Sequence, residues 1–341
     1  MLTPRQEMLL RKVIQGHLEE GQPVASKMLA SDPDVAWGSS TVRNELALLE
    51  EQGLLDHPHT SAGRVPTDAG YRYFVDRLLP DSVHQDTRSP LALSLSPREV
   101  DEAMRTTTET LAQVNDLLAL VSAPPIDTAT VRHVEVLALQ PQVLMVVVIT
   151  STGGVSKRMF TVERPVDPGL AEWAASYLNE RLVGMGLGAR MLQSRLVDPS
   201  LAPTERAFVE HLAPAFTELA EAAEESLYVD GAARLLSEHR FGDLSQLNEL
   251  MGMLERRVTM LGVLRAALGH RDVYVRIGHE NEAPGLRSLA IVAASYGLPQ
   301  RSLGAVSVIG PVRMDYAMAI RSVRGAASEL SRFVADVYDD S

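Results

Sequence analysis

The 341-residue sequence contains no cysteine. That excludes a disulfide framework, thiolate metal sites and a cysteine nucleophile, and it fits a reducing interior. Long apolar runs are also missing. The longest, Val143 to Ile149, falls far short of the roughly 20 residues a membrane-spanning helix needs. The opening stretch MLTPRQEMLLRKV sets charges among its apolar residues and has no hydrophobic core of a leader, so no signal peptide is expected. Basic residues do not dominate: 32 Lys and Arg stand against 44 Asp and Glu, a net charge of −12. Nucleic-acid binders usually show a basic footprint, so this balance counts mildly against nonspecific polyanion binding. There is no internal repeat. What is present is apolar material, 45% of residues at a mean hydropathy of −0.01. A packed core is within reach and global disorder is not expected. The length suits two or three domains of about 100–200 residues. A soluble cytoplasmic protein without a membrane partner is the expectation.

Thr3-Pro4-Arg5-Gln6 opens a helix: Thr3 caps, Pro4 takes the first helical position and Gln6 completes a capping box. Leu9, Leu10, Val13, Ile14 and Leu18 continue it at helical spacing, and Gly21-Gln22-Pro23 ends it. A short helix follows around Val24 to Ala30. Ser39-Ser40-Thr41, read as the capping end, starts a third helix that runs to about Gln52 and stops at Gly53. Leu54-Leu55 begins an extended stretch with a hairpin tip at Ala62-Gly63, and Thr67 caps a fourth helix carrying Tyr71, Tyr73 and Phe74. This order is that of a winged helix-turn-helix. Residues 81–96 read as a linker rich in Pro, Ser and Asp. Ser96-Pro97-Arg98-Glu99 begins a helix expected to reach about Val121. Strands are expected at Val131–Gln140, Val143–Thr150 and Val155–Val162, then mostly helix over 168–228, a long helix from Leu244 to Leu268, further strands at Val273–Ile277, Leu289–Ala294 and Ala305–Ile309, and a closing helix at Tyr316–Tyr338. Two groups of strands separated by helical sequence suggest one mixed α+β domain with another inserted into it.

On a helical wheel Val42, Leu46 and Leu49 form the buried stripe of the third helix, and Ser40, Asn44 and Ala47 face away with Arg43 at the edge. Arg pairs with guanine, Asn with adenine, and small residues admit the backbone to a DNA groove. A helix N-terminus adds phosphate contacts. The plain alternative is an ordinary solvated helix face. Residues 1–80 carry a net −3, from 8 basic and 11 acidic side chains. Segments 39–44 and 57–66 nevertheless hold Arg43, Arg64 and no acid. A modest phosphate contribution and a large share for specific contacts are expected.

The stretch HPHTSAGRVPTDAGYRYFVD at 57–76 invites other readings. His57 and His59 lack the nearby ligands of a zinc set, and Ser61 lacks a visible base or oxyanion hole. No metal, cofactor or catalytic residue is assigned. A wing suits the stretch better: Ser61-Ala62-Gly63 permit close approach to DNA, and His59, Thr60, Ser61 and Arg64 are placed to contact it. Gly184-x-Gly186-x-Gly188 has the wrong spacing for dinucleotide binding and reads as a loop. Leu244, Leu247, Met251, Leu254, Val258 and Leu261 form a 3,4-spaced seam, either a helix-pairing surface or one side of an ordinary core helix.

The tracts GQPVASKML, SSTVRNELALLEEQGLL, PHTSAGRVPTDAGYRYFVD, VRIGHENE, LRSLAIVAASYG and VIGPVRMDY resemble HrcA, the heat-inducible transcription repressors of bacteria, over nearly the whole chain. Departures are small: Gly38-Ser39-Ser40-Thr41-Val42 stands where Ala-Thr-Ile is frequent, and Val312 where Thr is common. The resemblance implies a multidomain α+β protein: a winged helix-turn-helix domain (1–80), a linker (81–96), a GAF-like domain in two parts (97–167 and 244–341) and a dimerisation domain inserted at 168–243. It further implies a homodimer that binds double-stranded DNA at an inverted-repeat operator and represses chaperone operons. The resemblance also implies that a GroEL-type chaperonin promotes the active form and that heat titrates it away. On this reading the DNA-binding residues are Ser39, Ser40, Thr41, Arg43, Asn44, His59, Thr60, Ser61 and Arg64. The alternative is a ligand-gated regulator that senses a small molecule through the GAF-like domain. Nothing in the sequence supports an enzyme.

Overall fold

The computed structural model describes residues 2–58, 63–80, 83, 91, 100–124, 130–151, 154–186, 194–216, 227–237, 252, 257–270 and 272–339. The fold is mixed α+β, with three sheets among the described residues. Helix α1 (Pro4–Glu20) starts on the expected capping box, in which Thr3 accepts from the Gln6 amide and Gln6 accepts from the Thr3 amide. It ends where Gly21 turns left-handed at φ 70°. Helix α2 (Ser26–Ala30) and helix α3 (Ser39–Glu51) follow, then two short strands, β1 (Leu55–Asp56) and β2 (Val65–Pro66), which pair antiparallel. Helix α4 (Asp68–Tyr73) is capped by Thr67 and continues into a π turn over Phe74–Leu78. A Cβ on Gly70 would sit 2.1 Å from the Leu54 carbonyl, so only glycine lets α4 lie on that backbone.

Helix α5 (Val100–Asn115) leads to strand β3 (Leu118–Ser122). The sequence expectation carried this helix to Val121. Asp116 breaks it at φ 53°, and the Leu-Ala-Leu-Val run that follows fits strand and helix periods equally. Strands β4 (Val131–Gln140), β5 (Val143–Thr150) and β6 (Val155–Thr161) form a three-stranded antiparallel sheet. Helix α6 (Pro168–Leu182) and helix α7 (Pro203–Leu212) cover one face of it. The chain then returns through β7 (Leu227–Asp230), helix α8 (Ala232–Ser237), helix α9 (Arg257–Leu268), β8 (Tyr274–Ile277), β9 (Leu289–Leu298), β10 (Arg301–Pro311) and helix α10 (Tyr316–Asp339).

A five-stranded sheet runs β7-β3-β10-β9-β8, antiparallel throughout. Period-two alternation sends Ala119, Val121, Val292, Val306 and Val308 to the side of α5 and α10. Leu118, Leu120, Ile291, Ala305 and Ile309 go to the side of Leu264 and Ala267 on α9.

Strand β7 begins within the stretch 168–228 expected as helix and runs past its end, because a four-residue strand there carries too little pattern to show. Strands β4–β6 share one core with α6 and α7: Val134, Val136, Leu144, Val146 and Val148 pack on Ala174, Leu178, Phe208 and Val209. A boundary at 167/168 cuts through that core. The chain instead leaves the five-stranded sheet after β3 and rejoins it at β7, so 131–161 go with 168–216. The seam positions Leu244, Leu247, Met251 and Leu254, the side chains of Val258 and Leu261, the capping box at 96–99 and nearly all of the linker 81–96 lie outside the described residues.

The N-terminal helices do not stand apart. Their buried residues, from Leu9 to Phe74, belong to the same apolar cluster as α5, α10 and one face of the five-stranded sheet. Polar contacts fix the junction. The Arg72 guanidinium holds the Glu280 carboxylate through Nε at 2.8 Å and donates to the Val275 carbonyl at 2.8 Å. Burial alone pushes Glu280 upward, but the Arg72 hydrogen bond, the Ile277 amide and the charges of Arg72 and Arg276 outweigh it and hold the carboxyl below its ordinary value. Asp68 accepts from the His279 amide at 2.9 Å and lies 2.8 Å from its Nδ1. Tyr71 packs on Tyr316 with ring centroids 5.8 Å apart, and Arg313 donates to the His17 carbonyl. The tracts containing Gly278–Glu280 and Arg313–Tyr316 therefore make the seat of the N-terminal unit.

Candidate nucleic-acid interface

Val42, Leu46 and Leu49 anchor α3 against Leu9, Leu10, Val13 and Ile14 of α1 and Leu29 of α2. This orientation follows from the 3.6-residue period and leaves Ser39, Ser40, Arg43 and Asn44 exposed, with Thr41 and Ala47 half-buried beside them. Ser39 does not cap. The N-cap is Gly38, and there is no side-chain cap hydrogen bond among the described residues. The uncapped amides of α3 are left for an outside acceptor, and a phosphate is the natural one. Arg43 and Asn44 make no hydrogen bond or ion pair with a described residue.

The acids of this unit are mostly occupied. Glu45 takes Arg5 at 3.3 Å and the Gln6 amide group at 3.1 Å. Asp32 and Asp34 share Lys12 at 2.8 and 2.7 Å. The Lys12 hydrogen bond holds Asp32 below its ordinary value, and those of Asp32 and Asp34 raise Lys12. Arg5, Lys12 and Arg72 are thus spent on internal pairs, whereas Arg43 on α3 and Lys27 on α2 project outward. Lys27 was not picked out from the sequence. The signal available was its place on the helix before α3.

A single backbone bridge ties the hairpin to the segment before α2. Val24 and Arg64 exchange backbone hydrogen bonds of 2.9 Å each way, which lays the segment before α2 beside β2. A Cβ on Gly63 would stand 2.3 Å from the Val24 backbone, so the glycine is needed for this approach. His59, Thr60 and Ser61 lie outside the described residues. Arg64 departs from expectation. Its Nη2 binds Glu50 at 2.7 Å and its Nη1 donates to His57 Nδ1 at 2.9 Å, with the side chain only 16% exposed. A guanidinium so enclosed clamps the hairpin to the end of α3 and is not offered to a phosphate. Among the described residues no group of His, Asp and Glu could hold a metal ion, and no helix is long and apolar enough to cross a membrane.

A family model, HrcA protein C terminal domain, matches residues 101–320. A heat-inducible transcription repressor HrcA from Parafrankia sp. is 35% identical over 96% of this chain and 97% of its own length. The repressor of the same name from Streptomyces avermitilis is 34% identical, covering 98% of this chain and 100% of the relative. The chain belongs to the HrcA family. HrcA proteins are transcription repressors of heat-inducible genes and not enzymes. A crystal structure of a hypothetical protein, 21% identical, superposes with a TM-score of 0.68 over 98% of both chains and shows that the fold is shared. The HrcA C-terminal match begins at Asp101, so the exposed face of α3 falls in the part of the chain that precedes it.

Proposed function

We propose that this HrcA chain binds an inverted-repeat operator as a homodimer and represses heat-shock chaperone operons. Residues 1–80 act as a winged helix-turn-helix with α3 in the major groove. The five-stranded sheet with α5, α9 and α10 is the GAF-like domain, and the three-stranded unit is the inserted dimerisation domain. A GroEL-type chaperonin promotes the active form, and heat releases repression by drawing it away. The observation that carries this reading is the uncapped, outward N-terminal half of α3, with Arg43 and Asn44 making no hydrogen bond or ion pair among the described residues. Ser39, Ser40 and Thr41 surround its amides, and Lys27 supplies a flanking phosphate contact. His59, Thr60 and Ser61 are retained as wing-tip contacts. Arg64 positions the wing.

The test is a gel shift against an inverted repeat, with and without chaperonin. Arg43→Ala and Asn44→Ala are expected to cost about 1–3 kcal/mol of operator affinity each. Lys27→Ala weakens all sequences alike and flattens the salt dependence by about one unit. Unchanged operator binding in Arg43→Ala overturns the assignment of α3. A cavity of about 350 Å³ lined by Tyr274, Arg276, Glu280, Asn281 and Leu286 favours the second reading, a ligand-gated regulator. A saturable thermal shift with a metabolite would support that reading.

A further inference from the structure

A cavity of about 550 Å³ lies where the N-terminal unit meets the closing helix. Its size suits a small ligand. Helix α1 lines it with Arg11, Gln15 and Leu18, whose spacing puts them on one face. The π turn supplies Phe74 and Leu78, and α10 with the loop before it supplies Arg313, Met314 and Arg321. Phe74, Leu78 and Met314 are buried and make an apolar floor. The cations around that floor are unspent. Arg11 is exposed and Arg321 half-buried, and neither makes a hydrogen bond or ion pair with a described residue. Arg313 donates to the His17 carbonyl at 3.3 Å, which positions its guanidinium and leaves its charge unmatched. By contrast, Arg5, Arg64 and Arg72 of the N-terminal unit each hold a carboxylate. Two acids also line the cavity. Asp315 accepts from the Met318 amide at 2.9 Å, and Glu19 is exposed and pairs with no described cation. Three cations against two carboxylates leave the cavity positive in a chain of net −12.

We propose that this cavity binds one small amphiphilic anion, a carboxylate or phosphate head on a short apolar tail. The head sits among Arg11, Arg313 and Arg321, and the tail lies over Phe74, Leu78 and Met314. Guanidinium groups recognise both heads through charge-assisted hydrogen bonds. A neutral ligand leaves three like charges gathered without a counter-charge, and a bare anion leaves the apolar floor in water. A nucleic-acid backbone would use the cations and gain nothing from the floor. Because the walls come from α1 on one side and α10 on the other, the bound molecule bridges the N-terminal unit to its seat.

The test is calorimetric titration of the full chain with octanoate and with octyl phosphate, both below micelle formation. Saturable binding of one molecule per chain is expected for at least one of them, and the preferred head separates a fatty-acid-like ligand from a phosphorylated one. Acetate, inorganic phosphate and octanol, each lacking tail or head, should bind at least about tenfold more weakly. Arg11→Ala and Arg321→Ala should each weaken the preferred amphiphile by about tenfold, and Arg321→Lys by less, since it keeps the charge. Ala317→Phe, which fills the cavity from α10, should abolish binding. Circular dichroism checks that each variant folds. The titration contains no DNA, so its outcome does not depend on the repressor reading. The proposal falls if neither amphiphile binds saturably, or if a head or tail alone binds as well as the whole. It falls equally if binding survives Ala317→Phe and both alanine variants undiminished, which would put the molecule elsewhere on the chain.

Discussion

The N-terminal unit shares its core with the five-stranded sheet, whereas the three-stranded unit closes a core of its own. The first gives up surface at α4 and at the end of α1 to a seat built from Gly278–Glu280 and Arg313–Tyr316. It keeps only α3, α2 and the hairpin for outside partners. The second buries one sheet face under α6 and α7, and on the opposite face Leu137, Val155 and Met159 are exposed among the described residues. A unit welded to its neighbour transmits that neighbour's position, so the pose of α3 is set by the sheet. A unit with a private core is able to melt or pair without disturbing α3. Each region also carries its own reporter, since the chain's two tryptophans are Trp37, under Arg5 at 4.7 Å, and Trp173, stacked on Tyr177 at 5.2 Å.

The largest expected effect breaks the comparison if it fails. Tyr316 and Phe216 are both fully buried, one at the junction and one in the separate core. Truncation of either to alanine should cost about 3–5 kcal/mol. Tyr316→Ala should lower the melting of the Trp37 environment together with that of the five-stranded sheet. Phe216→Ala should lower the Trp173 transition and leave Trp37 nearly in place. Single-tryptophan variants, read by fluorescence during thermal denaturation, check this. Equal shifts at both tryptophans in either variant would mean one cooperative body.

A smaller effect separates the seat's polar contacts from its apolar ones. Arg72→Ala removes the partner of Glu280 and the donor to the Val275 carbonyl. Both side chains are about a quarter to a third exposed, so solvent screening limits the loss to about 2 kcal/mol. Glu280 should then titrate higher. Its contribution, present above the ordinary carboxylate value of 4.5 and withdrawn as pH falls through its depressed one, disappears from the acid limb of the Trp37 transition. Arg64→Ala is expected to loosen the hairpin in hydrogen exchange near Val24 and to leave the salt dependence of operator binding unchanged. A flattened slope would restore Arg64 to the phosphate contacts.

Both ends of α1, the end of α3 and the start of α4 were legible because capping chemistry is local: Thr3 with Gln6, Gly21, Gly53 and Thr67. The buried stripe Val42-Leu46-Leu49 was legible because amphipathic helices advertise their period. Leu118–Ser122 was not, since a fully buried central strand shows no alternation. The grouping of β4–β6 with α6 and α7 was hidden for another reason: which strands pair is decided by long-range packing, not by spacing. Arg64 shows the limit most clearly. Its sequence neighbours gave a loop cation, and only the return of the chain brought Glu50 of α3 to 2.7 Å. The seat residues Arg72 and Glu280, 208 positions apart, were beyond sequence reasoning for the same cause.

The smallest effect sharpens the comparison from the side of the three-stranded unit. Asp198 accepts from the Ser200 hydroxyl at 2.6 Å, the Ser200 amide at 2.9 Å and the Tyr177 hydroxyl at 2.9 Å, and it pairs with Arg181. The Ser200 bonds come first in holding its carboxyl down to about 2, followed by Tyr177 and Arg181. A depressed carboxylate stabilises the fold above its ordinary value of 3.8, and that stabilisation is withdrawn as pH falls toward about 2. Tyr177 links this clasp to Trp173, so an acid titration of the Trp37→Phe variant should show a Trp173 fluorescence change confined to that window. Asp198→Asn should abolish it and leave the Trp37 signal of the Trp173→Phe variant as it was. If the two tryptophans instead responded together in that window, the private core would be coupled to the junction after all, and the division between welded and separate units would fall.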